Sequence, residues 1–156
     1  MAELTLSVDV DAPVADVWAA AVDWDRQHEW MVGTTVTGGH GAGARLRAFT
    51  GWRGYGVNDP MTITTWDPPH RCVVRHDGYV VKGSAAFEVL PLGEGRARFV
   101  WTEWLVLPFG LLGEVGYLLL RPLILAPLRH SLRQFAAFVS TRGTPAAASP
   151  GTTAPR

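Results

Sequence analysis

Apolar and polar positions alternate from the start of the chain. Leu4, Leu6, Val8 and Val10 stand against Thr5, Ser7 and Asp9, the period of a half-buried strand. Asp11-Ala12-Pro13 then places an acid and a proline at a helix entry, and Val14, Val17, Trp18 and Ala21 fall on one helical face. A second short helix is predicted over 25–30. From about residue 33 to 107 the pattern changes to short runs separated by turn signals at Asp59-Pro60, Asp67-Pro68-Pro69, Asp77-Gly78 and Gly93-Glu94-Gly95. No helical pattern intervenes to carry parallel crossovers, so these strands are predicted to pair antiparallel. Leu128, Leu132, Phe135, Ala136 and Val139 finally repeat as one stripe of a long helix.

Strand parity assigns faces. Leu46, Ala48, Thr50 and Trp52 share one side, with Arg45, Arg47 and Arg53 on the other. A two-residue turn at Asp77-Gly78 sets His76 opposite Tyr79. Cys72 and Val74 then join His76 on a face with Val81, Gly83, Ala85, Phe87 and Val89, while Lys82 points away. The next strand carries Ala97, Phe99, Trp101, Glu103 and Leu105 on one face, so an acid falls in phase with apolar neighbours. A loop centred on Gly93 pairs Phe87 with Phe99, Ala85 with Trp101 and Gly83 with Glu103. Small residues facing large ones leave room for a cavity. In this register His76 and Glu103 do not touch, and no cation on the adjacent strands faces Glu103, so burial disfavours its charged form unless an arginine of the helix segment such as Arg121 reaches in and reverses the sign.

Leu111 to Leu125 is apolar, but Glu114 and Arg121 interrupt it and Pro122 is predicted to break or kink a helix there. The segment reads as a core-covering helix rather than a transmembrane one. Residues 143–156 are rich in Pro, Ala, Thr and Ser and cannot bury a face, which predicts one folded domain over 1–142 and a disordered tail.

Composition narrows the function classes. The 156 residues suit a single domain, 47% are hydrophobic, and fourteen basic residues balance fourteen acidic ones. Without a basic surplus there is no electrostatic case for nucleic acid. A single cysteine, Cys72, builds neither a disulfide nor a zinc site, and no metal or cofactor is expected. The acidic, alternating start shows no signal peptide, which points to the cytoplasm. His28-Glu29 lacks the second histidine of a zincin motif, and the glycines of 39–43 precede a strand, not a helix, so no dinucleotide fingerprint follows. Seven tryptophans are many for this length and suit a pocket lining as well as a core.

The order of strand, two short helices, a run of antiparallel strands and a long helix, together with VDVDAPVADVWAAAVDWDRQHEW and FVWTEWLVLPFG…LRHSLRQFAAFV, resembles the START/Bet v 1-like (SRPBCC) superfamily. Within it, the chain is similar to the bacterial polyketide cyclase/dehydrase and lipid-transport group, over roughly residues 3 to 141. The resemblance implies an α+β helix-grip fold, in which a curved antiparallel sheet of about seven strands wraps around the C-terminal helix. It further implies a hydrophobic cavity between them. Two functions follow. One is binding of a small hydrophobic ligand, lipid-, polyketide- or aromatic-like, by Trp52, Tyr79, Phe87, Phe99, Trp101 and Glu103. The other is a cyclase, dehydratase or aromatase activity with Glu103, or less favourably His76, as the cavity acid or base. The polar tail should be dispensable in either case. Truncation after Arg142 is expected to leave the thermal unfolding midpoint unchanged, and a marked fall would show that the tail docks.

Overall fold

The computed structural model describes residues 2–107 and 109–142, so the tail lies outside the described residues. β1 (Ala2–Val10) leads into α1 (Val14–Ala21), a 3-10 turn over Trp24–Glu29, and then β2 (Thr34–Gly38), β3 (Arg45–Trp52), β4 (Tyr55–Asp67), β5 (Arg71–His76), β6 (Gly83–Gly93) and β7 (Arg96–Leu105). A long helix, α2 (Leu111–Arg142), follows. The strands form one antiparallel sheet in the order β1-β7-β6-β5-β4-β3-β2, which curls around α2 in the helix-grip arrangement. Pro13 stands at the N-cap of α1. Asp11 makes no capping bond there and instead pairs with Arg96 at 2.8 Å.

The parity of the strands holds, but their registers differ from the sequence reading. β6 and β7 pair Phe87 with Trp101, Ala85 with Glu103 and Gly83 with Leu105, two residues away from a turn centred on Gly93. An irregularity at Pro91/Gly93 takes up the difference, and the turn closes at Gly93↔Arg96. Nor does Asp77-Gly78 form a two-residue turn. The Asp77 amide donates to the Pro60 carbonyl at 2.8 Å and its carboxylate holds Arg75 at 2.8 Å, so β6 resumes only at Gly83, opposite His76. Gly83 does not serve to leave room above the sheet. A Cβ there would lie 1.8 Å from the Trp104 carbonyl oxygen, so its role is close backbone approach.

The core sits at one end of the grip. Phe135 of α2 packs its ring 4.8 Å from Trp30 and 4.4 Å from Phe99, and Val17, Val89 and Val139 close around this cluster. The α2 stripe read from the sequence covers the sheet with Leu132, Phe135 and Val139 buried. Its first half behaves differently. The helix continues through Pro122 and Pro127, and the residues before Ile124 are largely exposed. Each proline forfeits one bond, to the carbonyls of Leu118 and Leu123, and both of those residues are open to water. Leu111–Arg142 is long and apolar enough to cross a membrane by length and composition alone, but its second half is occupied as the core helix. Phe135→Ala is expected to lose ~3–5 kcal/mol in a denaturant titration, since the ring is fully buried among aromatic partners. A change within about 0.5 kcal/mol would mean that the cluster is not what holds α2 in place.

Candidate functional site

Above the Phe135 cluster the sheet and α2 diverge and enclose a cavity of about 360 Å³. Its sheet wall carries Leu46, Ala48, Val74, Ala85, Phe87 and Trp101. Trp24, Gln27 and Met31 close one side, and Ile124, Leu128 and Ser131 of α2 form the roof. The Ser131 hydroxyl accepts the Val32 amide at 3.0 Å, which fastens the loop before β2 to the helix. Val32, Thr50 and Pro127 line the space and are also exposed, so they mark its mouth. Ala48 and Ala85 supply the room that larger side chains would fill.

Into this apolar space projects one polar cluster. His76, at the end of β5, has Nδ1 2.6 Å from Asp59 Oδ2 and Nε2 3.4 Å from Glu103 Oε2. The other Glu103 oxygen accepts the Trp101 indole N–H at 2.7 Å. Asp59 Oδ1 is buried and has no hydrogen-bond partner. Burial on its own would push the His76 imidazolium down. The hydrogen bonds to Asp59 and Glu103 and their negative charges outweigh it and raise the group from 6.5 to about 9. At neutral pH both ring nitrogens therefore carry protons and donate to the two carboxyl groups. Cys72 also lines the cavity, but burial pushes its thiol up to about 12, so it offers no thiolate nucleophile. No cluster of metal-ligating side chains occurs among the described residues.

The structure brings together four of the residues singled out from sequence, Phe87, Trp101, Glu103 and His76, around one space. The direct approach of His76 to Glu103 departs from the sequence reading and follows from the two register changes. They place His76 only two positions along from the Val74–Ala85–Glu103 row. Glu103 is accordingly not an uncompensated acid, because His76 and the Trp101 N–H both face it. Three other residues do not line the cavity. Trp52 keeps the expected parity but lies past the covered part of the sheet, paired with Tyr55 in the β3–β4 hairpin and 72% exposed. Tyr79 falls in the 77–82 loop and is 97% exposed. Phe99 sits one row below Trp101, where Trp30 and Phe135 have already filled the space. Asp59 was hidden by reading Asp59-Pro60 as a turn. The alternation Val57, Asp59, Met61, Ile63 against exposed Asn58, Pro60 and Thr64 was its signal.

A histidine whose folded value is raised contributes stability that is fully present below its unfolded value, near 6.5, and is lost as the pH climbs through about 9. Unfolding midpoints measured between pH 6 and 10 should therefore fall more steeply for the wild type than for His76→Gln. Parallel profiles would show that His76 is not held between the two carboxyl groups.

A family profile described as polyketide cyclase/dehydrase and lipid transport matches residues 1–139. No curated protein sequence matches the chain. Among solved structures, the Zhui aromatase/cyclase from Streptomyces sp. R1128 superposes with a TM-score of 0.77 at 16% identity, over 95% of this chain and 99% of that one. The protein TTHA0849 from Thermus thermophilus gives 0.75 at 19% identity, over 92% and 100%. A norcoclaurine synthase point mutant from Thalictrum gives 0.65 at 16% identity, over 92% and 96%. At these identities the likeness is one of fold. The profile covers nearly the whole described chain, and the chain belongs to the polyketide cyclase/dehydrase and lipid-transport family.

Proposed function

We infer that the protein binds a small, mainly apolar molecule that carries at least one hydroxyl or N–H donor. The observation behind this reading is the His76–Glu103 pair on the wall of a mainly apolar cavity, whose 3.4 Å contact is long enough for a ligand hydroxyl to bridge. A hydrogen bond to a charged group contributes roughly 1.5–3 kcal/mol. Phe87, Trp101 and the alanines offer flat, undifferentiated contact. Glu103, His76 and Asp59 give the direction in which a ligand inserts. A volume of about 360 Å³ lies at the lower end of small-molecule sites and favours a compact ring system or a short acyl chain.

A second reading, catalysis, is favoured by the pairing of a carboxylate with an imidazolium at that same 3.4 Å contact, which is long enough for a ligand oxygen to enter between them. In a β-hydroxy carbonyl compound Glu103 would take the proton between the two functional groups, and Nε2–H would deliver a proton to the departing hydroxyl. One C–O bond is lost as water and one C=C bond forms. Asp59, bonded to Nδ1, would hold the ring in the productive orientation. The fold shared with an aromatase/cyclase supports this reading by analogy only.

Tryptophan emission titrated with 2-naphthol and with naphthalene discriminates the anchor. Saturable quenching is expected for both, with naphthol tighter by about tenfold or more in the wild type and the preference lost in Glu103→Leu. Equal affinities in the wild type would remove the His76–Glu103 pair as the anchor. Glu103→Gln separates the two readings. A binding protein keeps its affinity in this variant, whereas a dehydratase binds a β-hydroxy ketone and no longer turns it over.

A further inference from the structure

We propose that the end of the molecule bearing the first half of α2 docks on a lipid bilayer surface, and that this surface adjoins the cavity mouth. Leu111, Leu112, Leu118, Leu119 and Leu123 are 61–80% exposed. With Leu120 they spread over roughly 200° of the helix circumference at ~100° per residue. A soluble helix normally buries a stripe little more than ~100° wide against its partner. A flat protein face or a second copy laid alongside would therefore leave much of this arc in water. A fluid apolar medium surrounds it from every direction.

The neighbouring strand ends and loops carry the same chemistry. The register places Trp52↔Tyr55, His76↔Gly83 and Leu105↔Ala2 at one end of the sheet, and α2 begins just beyond β7 at that same end. Exposed there are Trp52, Tyr55 and Tyr79, with Val80 in the same loop as Tyr79 and Phe109 before α2. Tryptophan and tyrosine with apolar rings and polar tips are the side chains that favour the bilayer interface. Arg53, which stacks on Trp52 at 4.5 Å, joins Lys82 and Arg121 as exposed cations of this end. Of the acids there, Asp77 is paired with Arg75, and Glu3 and Glu114 are also exposed.

Geometry limits the mode of contact. The exposed part, Leu111 to Leu123, measures about 20 Å at 1.5 Å per residue, too short for the ~30 Å hydrocarbon layer. From Ile124 onward α2 is committed to the cavity roof and the core. The segment therefore lies in the interface and does not cross it. Since Ile124, Pro127 and Leu128 wall the cavity one turn further on, an apolar molecule could pass between bilayer and cavity along the helix without entering bulk water. The proposal does not depend on which molecule the cavity holds.

Flotation of the full chain with vesicles of phosphatidylcholine, alone or mixed with phosphatidylglycerol, tests it. The wild type should float with both and more strongly with the mixture. Leu119→Glu and Leu112→Glu should each lower partitioning by about tenfold or more at unchanged melting temperature. The paired Arg53→Glu and Lys82→Glu changes should abolish the preference for phosphatidylglycerol. Should a glutamate variant fail to fold, Leu119→Gln and quenching of emission by brominated phosphatidylcholine, compared between the wild type and Trp52→Phe, give the same answer. Absence of flotation with either vesicle would overturn the proposal, as would leucine variants that float like the wild type. A wild-type dimer in sedimentation that Leu119→Glu makes monomeric, without vesicle binding, would assign the surface to a second copy and overturn it equally.

Discussion

The contact of Phe135 with Trp30 and Phe99 fixes where α2 can lie, and the other features of the molecule follow from it. Aromatic rings 4.4 and 4.8 Å apart leave no space at that end of the grip. A 32-residue helix runs about 48 Å, well beyond the strands it crosses. Held at Phe135, it passes over the cavity from Ser131 back to Ile124 and then outruns the sheet toward its N-terminus. The small Ala48 and Ala85 below that stretch leave the cavity, and the overrun exposes the leucines.

A polar cluster in an apolar cavity is costly unless its members satisfy one another. His76 lies between two carboxyl groups, so one cation answers two acids, and the Trp101 indole supplies a fourth member. One atom, Asp59 Oδ1, is left over. His76 and Glu103 line the cavity, and their bonds to Asp59 and the Trp101 indole hold them in place, which is the condition for a preorganised binding direction. It also explains why the histidine is raised despite its burial, because the ring is removed from water and surrounded by negative charge at the same time.

Parity was legible in the sequence and register was not. Alternation along β5, β6 and β7 placed His76, Phe87, Trp101 and Glu103 on one face, because side-chain direction has a period of two and survives any shift by an even number of residues. Both hairpins did shift by even numbers, so the faces came out right while the neighbours came out wrong. What displaced them was local and polar. A bulge formed at Pro91/Gly93, and Asp77 bonded back to β4 instead of closing its own turn. Asp59 was lost for a related reason, since an Asp-Pro pair is a turn signal that β4 overrides by running straight through it. Trp52 and Tyr79 show the limit of parity. It gives direction, but not whether anything stands on that side to be touched.

The two halves of α2 also show why composition misled where periodicity did not. Leu128 to Val139 carries a single stripe and is buried on it. Leu111 to Leu123 is apolar over much of its circumference, and such a segment has no inward face for a sheet to select. A core with room for only one stripe leaves the remainder outside. The boundary falls at Ile124 and Leu125, where the helix first meets the cavity and the first buried leucine appears. Along the chain the same helix is therefore surface, roof and anchor in succession, and the cavity mouth lies near where the first role passes into the second.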